Sequence, residues 1–353
     1  MQTPRTFFRF TSAALAVAAL TLTAACGSGS ATSAAPATKT ASGTAATLRL
    51  GYFANVTHAS AVYGIASGGF QKALGGTALK PSVFSAGPVA IEALRGGGLD
   101  AAFVGPNPAV NGFAQTKGKL LRIVAGTTSG GAALVVKSSI TSVDQLAGKK
   151  IATPQLGNTQ DVAAKSYFKD KGVAVTIVNQ ENAQTLDLFK SGQIDGGWVP
   201  EPWASRLVLD GGGKVLVNEA SLWPEGRFVT TQLVVRKAYL DEFPGTVAAL
   251  IKGLIDANEA VATKSAAVQA TINAQLKKDT GKALSPAVLS AAFANLTPTI
   301  DPIASSLATS AKHAELIGLL KPVDLKGIYD LTILNKLLAA AGKPVISDAG
   351  LGA

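Results

Sequence analysis

From residue 48 to residue 235 the chain alternates short apolar runs with stretches of helical periodicity, and it does so twice in succession. The first series predicts strands over Leu48–Phe53, Lys80–Phe84, Asp100–Gly105 and Leu121–Thr127, with helices near 59–73, 88–96 and 107–117. The second predicts Lys150–Thr153, Val173–Val178, Gly196–Val199 and Val215–Val217, with helices near 159–171, 182–191 and 203–210. Strands alternating with helices build parallel α/β sheets. Thr230–Val235 then returns as a strand, and the rest reads mainly as helices. About 300 ordered residues in a chain that is 47% hydrophobic are ample for two cores rather than one.

The two series are related. A shift of 95 positions lays Gly97, Asp100, Val104, Ala109, Gly118, Lys119 and Leu121 onto Gly192, Asp195, Val199, Ala204, Gly213, Lys214 and Leu216. The matches fall on the same strand, turn and helix positions without a gap. Two similar α/β lobes in one chain explain this, whether by duplication or by shared α/β grammar.

In open α/β sheets ligands bind outside the carboxyl ends of the strands. The loops at those points are Asn55-Val56-Thr57-His58, Ser85-Ala86-Gly87-Pro88, Gly105-Pro106-Asn107-Pro108, Thr127-Thr128-Ser129-Gly130-Gly131, Gln155-Leu156-Gly157-Asn158-Thr159-Gln160-Asp161, Pro200-Glu201-Pro202-Trp203 and Thr230-Thr231. They hold no Lys or Arg. Gly87-Pro88, Gly105-Pro106 and Gly157-Asn158-Thr159 read as helix starts whose free N–H groups and dipole favour an anion. Ordinary capping uses the same residue types. Each hydrogen bond to a charged group contributes about 1.5–3 kcal/mol. Micromolar capture needs about 8 kcal/mol, so four to six donors suffice without a formal positive charge.

The N-terminal segment is of a different kind. Arg5 and Arg9 precede the apolar run Ala13 to Leu22, and Ala24 and Ala25 precede Cys26, the chain's single cysteine. A basic start, a short apolar core and small terminal residues read as a signal peptide over residues 1–25. The thiol placed there resembles the lipobox of bacterial lipoproteins, although Thr23 stands where that family prefers leucine. Lipidation of Cys26 would anchor an exported body to the outer face of the cytoplasmic membrane. Residues 26–47, almost all Gly, Ser, Thr, Ala and Pro, read as a flexible tether. Loss of Arg5 and Arg9 lowers the formal charge from +10 to +8. The surplus is scattered as single lysines with no aromatic interleaving, which argues against nucleic acid as a partner.

Read together, GYFANVTHASAVYG, FSAGPVAIEAL, DAAFVGPNPAVNGF, AGTTSGGAALVVK, IATPQLGNTQDVA and GGWVPEPWASRLVLDGGGKVLV resemble the substrate-binding proteins of ABC importers for aliphatic sulfonates, and more widely the sulfonate, taurine and nitrate-binding group. The resemblance runs over residues 48–260 and more loosely beyond. It implies a type II periplasmic-binding fold: two α/β lobes joined by two crossovers, with a ligand cleft between them. The crossovers would fall near 128–137 and 221–230, giving lobe 1 as 48–130 plus 231–353 and lobe 2 as 138–220. It also implies a monomer that delivers a small anion to a membrane permease driven by a cytoplasmic ATPase, with no cofactor and no metal.

Within that frame the ligand-binding candidates are Asn55, Thr57, His58, Gly87, Pro88, Gly105, Asn107, Thr128, Ser129, Gln155, Asn158, Thr159, Gln160, Glu201, Trp203 and Thr230. His58 reads equally as an oxyanion donor or a loop brace. Asp161 reads as a first-turn charge favoured by the helix N-terminus. Glu201 would repel an anion unless it meets a cationic group such as the ammonium of taurine; otherwise it is a helix-start carboxylate satisfied by backbone N–H groups. Trp203, which follows a turn, suits a ligand's alkyl part better than Trp198 does. Trp223 reads as structural, and His313 as a solvated helical residue.

An enzyme on the same fold is the competing class. No Ser–His–Asp ordering or acid/base pair stands out, and two distant histidines do not form a metal site. Taurine, nitrate, bicarbonate or a thiamine precursor are the competing solutes. The expected mechanism is capture between open lobes followed by hinge closure.

Overall fold

The computed structural model describes residues 43–352, all within one unit spanning Ala37–Ala353. Cys26 and the segment before it lie outside the described residues. The chain opens with β1 (Thr47–Tyr52), α1 (Ala59–Ala66), α2 (Gly69–Leu74), β2 (Ala78–Val83), α3 (Gly87–Arg95), β3 (Ala101–Val104), α4 (Pro106–Gln115) and β4 (Leu121–Gly130). There follow β5 (Ala132–Lys137), β6 (Lys150–Thr153), α5 (Thr159–Lys171), β7 (Thr176–Asn179), α6 (Asn182–Lys190), β8 (Gly196–Pro200), α7 (Trp203–Leu209) and β9 (Gly213–Asn218). After β10 (Val229–Arg236) come α8 (Lys237–Glu242), α9 (Pro244–Ala262), α10 (Ala266–Thr280), α11 (Pro286–Ala294), β11 (Leu296–Pro298), α12 (Ala304–Leu316) and α13 (Thr332–Ala340).

One sheet has the order β11-β4-β10-β3-β1-β2 and the other β7-β6-β8-β5-β9. The chain leaves the first at Gly130-Gly131, where both residues have φ of +78°. Only glycine adopts that conformation without strain, and a Cβ on Gly131 would lie 3.1 Å from Thr57 Cγ2. The return runs between Asn218 and Val229.

Both sheets are mixed, which corrects the expectation of parallel sheets. β1 pairs in parallel with β2 and β3, and β6 with β7 and β8. The strands at the crossings run antiparallel: β10 against β3 and β4, β5 against β8 and β9. Residues 132–137 accordingly belong to the second sheet and not to a crossover, so the second lobe begins at Ala132 and not at 138. Residues 43–47 are likewise not tether. Ala45 N–H donates to Thr246 Oγ1 at 2.8 Å and Ala45 O accepts from Thr77 Oγ1 at 2.6 Å.

Period-2 alternation divides the second core between two faces of its sheet. Val135, Ala152, Leu186, Phe189 and Leu207 pack on one face, and Leu134, Val136, Ile151, Phe168 and Trp198 on the other. The first lobe has a single larger core, which the C-terminal helices complete through Leu250, Leu254, Ile272 and Leu334.

The similarity of the two halves extends to their hydrogen bonds. Asp100 N–H donates to Arg49 O and Asp100 O accepts Arg236 N–H; Asp195 does the same with Lys150 O and Lys137 N–H. Each carboxylate also accepts the backbone N–H that opens its neighbouring strand, Arg49 N in one lobe and Lys150 N in the other. Gly97 and Gly192, in the preceding turns, have φ of +72° and +75°. The two lobes are versions of one α/β unit, turned so that corresponding strand ends face each other.

Candidate functional site

The parallel strands of both lobes end around one small cavity of about 20 Å³. Phe53, Asn55, Thr57 and His58 follow β1, Ser85 follows β2, and Gly105 follows β3. From the other lobe come Asn158, Thr159 and Gln160 after β6, Asn182 after β7 and Pro200 of β8, with Thr230 and Thr231 of β10 closing the wall. All six parallel strand ends therefore converge, and the wall contains no Lys, Arg, Asp or Glu.

Three side-chain atoms in this wall are buried and have no hydrogen-bond partner within the chain: Thr159 Oγ1, Asn182 Oδ1 and Thr231 Oγ1. Each such atom costs about 1–3 kcal/mol until a group is brought to it. Thr159 stands at the first position of α5, whose N-cap Asn158 accepts Thr159 N–H through Oδ1 at 2.7 Å. Facing it is the start of α4, with N-cap Gly105 and Pro106 at its first position. A Cβ on Gly105 would lie 2.1 Å from Thr159 Oγ1; glycine lets the two helix starts meet.

Neighbouring groups fix the polarity of two more wall residues. Phe53 N–H donates to His58 Nδ1 at 3.3 Å, which leaves the ring proton on Nε2. Complete burial pushes the His58 pKa down to about 3, so the ring is a neutral donor. Trp203 Nε1–H donates to Asn55 Oδ1 at 2.9 Å, across the lobes, leaving the Asn55 NH₂ as that side chain's remaining donor.

Eight of the expected site residues line the cavity: Asn55, Thr57, His58, Gly105, Asn158, Thr159, Gln160 and Thr230. The other eight do not. Gly87 and Pro88 open α3 beside it, where a Cβ on Gly87 would strike Pro108 at 2.3 Å. Asn107 donates to Ser310 O and ties α4 to α12. Thr128 Oγ1 donates to Thr57 O, and Ser129 Oγ accepts Phe228 N–H; both brace the site from behind. Gln155 is exposed, and its carbonyl accepts Asn158 N–H.

Glu201 points away from the cavity and is 1% exposed. Its carboxylate accepts from Ser205 N, Ser205 Oγ and Asn295 Nδ2, the last reaching across the lobes. Burial raises its pKa, against those three donors. It is the satisfied helix-start carboxylate, and the ammonium role considered for it is ruled out by its direction. Trp203 borders the outer cleft and not the cavity, with Arg206 over its ring at 4.8 Å.

Asp161 buttresses the loop, accepting from Thr153 Oγ1, Gly157 N, Asn179 Nδ2 and Lys165 Nζ. Trp198 is core, its Nε1–H donating to Glu219 Oε2 at 2.7 Å. Trp223 stacks on Phe228 at 5.4 Å. His313 is half-buried against Trp223, not solvated.

Phe53 and Asn182 were missed as wall residues, and Ser85, Pro200 and Thr231, although in the expected loops, were not among the candidates. For Asn182 a signal existed: the 95-residue shift that relates the lobes carries Gly87 onto it.

Two mixed α/β lobes meeting around a cavity at their strand ends make a fold found in a binding protein and in an enzyme. It is shared with the alkanesulfonate-binding protein SsuA from Xanthomonas axonopodis pv. citri bound to MOPS (TM-score 0.67, 24% identity, 78% of this chain and 95% of that one). The desulfurization enzyme DSZB has it too (TM-score 0.61, 18% identity, 84% and 99%). The chain belongs to the NMT1-like family, which it matches over residues 41–275. It is 30% identical over 178 residues to the taurine-binding periplasmic protein of Escherichia coli (strain K12), a match covering 50% of this chain and 55% of that protein. The chain thus spans about half the length of that relative.

Proposed function

We propose that this protein is the extracytoplasmic solute-binding component of an ABC importer, and that it captures a small organic oxyanion of the sulfonate class. The observation that carries this reading is the cavity wall. Two hydroxyls, Thr159 Oγ1 and Thr231 Oγ1, and the Asn182 amide oxygen are buried around one gap without a partner within the chain, and the wall that holds them carries no formal charge. A sulfonate is ionised at every physiological pH and brings no proton that needs an acceptor. Neutral dipoles on rigid strand ends suit such a guest, because they are already oriented when it arrives. The likeness to taurine- and alkanesulfonate-binding proteins points to the same chemistry.

Binding rather than catalysis fits the same residues. A histidine with a pKa near 3 cannot serve as a base at neutral pH. The carboxylates of Asp161 and Glu201 are engaged in holding loops. The gap as it stands has room for roughly one water-sized group, less than a sulfonate, so the guest enters with the lobes apart and is held with them set wider than here, by movement about Gly130-Gly131 and the return segment. Cys26, lipidated, would hold this body at the membrane beside its permease. Mass spectrometry of the mature N-terminus tests that part.

The substrate reading is tested by a thermal-shift panel on the purified protein with ethanesulfonate, longer alkanesulfonates, taurine, sulfate, nitrate and bicarbonate. Stabilisation by organic sulfonates supports it. Stabilisation by nitrate or bicarbonate alone, or turnover of a sulfur compound, replaces it with one of the competing classes.

A further inference from the structure

The positive charge of the folded body is carried by one lobe. Residues 132–228 hold ten Lys and Arg and ten Asp and Glu, whereas residues 43–131 and 229–352 hold nineteen against twelve. Within the first lobe the surplus has a direction. Residues 43–131 contain seven basic side chains and two acidic ones, Glu92 and Asp100, and Asp100 is buried between Arg49 and Arg236. All seven basic residues lie toward the strand ends remote from the cavity. Arg95 closes α3, Lys72 stands in the last turn of α2, and Lys117 and Lys119 occupy the turn into β4, whose second residue is Arg122. Arg49 and Lys80 are register partners near the starts of β1 and β2. The register gathers these strand ends at one edge of the sheet: Thr47 is opposite Ala78, Leu50 opposite Ala101, and Leu121 opposite Arg236, where β10 ends.

This charge does not serve the anion in the cavity. β1 is six residues long, which sets the two ends of the lobe roughly 20 Å apart, beyond the screening length of about 8 Å at physiological salt. Nor is it neutralised locally. Lys72, Lys80, Lys117 and Lys119 are exposed and make no ion pair among the described residues. Against them stand Glu92 and Asp241, already paired with Arg95 and Lys237, and Glu242. The chain also enters the described body at this end. Gly43 O accepts Gly245 N–H at 3.0 Å in the first turn of α9, and Ala45 is bonded to Thr246 and Thr77.

We propose that this end of the first lobe is a surface for anionic phospholipid headgroups, which holds the body against the bilayer with its cavity turned away. Lysines are hydrated point charges on flexible stems, suited to a fluid array of phosphates and not to one fixed ligand. Each Lys or Arg held near an anionic leaflet strengthens attachment about fivefold. A membrane anchor acting through the segment before Gly43 would bring this end to the lipid, and not the electrically balanced second lobe. The contact is solvated and screened, so it is reversible and the body can leave the surface. The inference does not depend on which solute the cavity holds.

Vesicle co-sedimentation of the mature chain, with Cys26→Ser to remove any anchor, tests this on phosphatidylcholine vesicles with and without an equal share of phosphatidylglycerol. At low salt the mixed vesicles should bind the protein at least about tenfold more tightly, and the difference should vanish at high salt. Lys72→Gln, Lys117→Gln and Lys119→Gln combined should weaken that binding about a hundredfold. Lys149→Gln, Lys150→Gln and Lys190→Gln combined remove the same charge from exposed positions of the second lobe, and should weaken it less than about threefold. Both variants should melt with the wild type, since none of the six lysines makes an ion pair. Equal losses in the two would show that net charge alone acts and would overturn the surface. Binding that ignores phosphatidylglycerol would overturn it as well.

Discussion

Asp100 and Asp195 occupy the same turn in the two lobes, with the same backbone partners, yet their surroundings differ. Asp100 has a side chain 2% exposed and pairs with both Arg49 and Arg236. Asp195 is 21% exposed and pairs with Lys137 alone. The same contrast runs through the cores. The first lobe packs its sheet under most of the C-terminal helices, whereas the second has two small clusters on either side of a five-stranded sheet. One unit has become a framework and the other a lighter jaw. The ligand-facing loops diverge accordingly: the framework supplies Asn55, His58 and Ser85, and the jaw supplies Asn158, Thr159 and Asn182.

The largest expected effect breaks this comparison at its anchor. Asp100→Asn leaves two partly exposed arginines without their carboxylate and should lower unfolding free energy by about 1.5–3 kcal/mol. Asp195→Asn, at a more exposed and singly paired site, should cost within ~1 kcal/mol. Urea denaturation of the two variants measures the difference. Equal losses would mean that the lobes are anchored alike.

A second contrast is in pH. His58 in the first lobe has its pKa lowered from 6.5 to about 3 by burial. The unfolded chain binds a proton there that the folded one refuses, so stability falls as pH drops below 6.5, by about 2 kcal/mol at pH 5. Glu219, packed on Trp198 of the second lobe, has its pKa raised from 4.5 to about 7, burial outweighing the Trp198 and Trp223 hydrogen bonds. There the folded chain keeps a proton that the unfolded one has released, so stability falls as pH rises from 4.5 to 7, by up to ~3 kcal/mol. The slopes oppose each other between pH 4.5 and 6.5. Melting temperature in the wild type should be nearly flat in pH over that range. Glu219→Gln should expose a rise with pH, and His58→Gln a fall.

The smallest effect concerns the clasp between the lobes. Trp203→Phe removes the hydrogen bond to Asn55 while keeping an aromatic ring. Ligand affinity should weaken several-fold, by ~1 kcal/mol, with the melting temperature of the ligand-free protein unchanged. Calorimetry on this variant decides whether Trp203 orients Asn55 or only packs beside it.

Much of the fold was legible because its strands are apolar runs bounded by Gly, Pro and Asn, and its helices start with recognisable caps. β5 escaped because its apolar run follows the Gly130-Gly131 turn directly and reads as part of a crossing. β11 is three residues long and exists only through pairing with β4. The site was legible as a set of strand-end loops, since residue type and position are both written in the chain. What the loops do not reveal is direction. Asn107, Thr128 and Ser129 have the right chemistry, but the backbone turns them toward α12, Thr57 and Phe228. Glu201 required the position of Asn295, 94 residues away, before its role could be read.

The central claim is that donors from framework and jaw hold one anion together. Ethanesulfonate affinity by isothermal titration, measured on Ser85→Ala from the first lobe and Thr159→Val from the second, tests it most directly. Each substitution should raise Kd about tenfold or more, the loss of one hydrogen bond to a charged group, with one binding site retained throughout. Wild-type affinity in either variant would contradict the account, because a lobe that can lose its donor without consequence is not holding the guest.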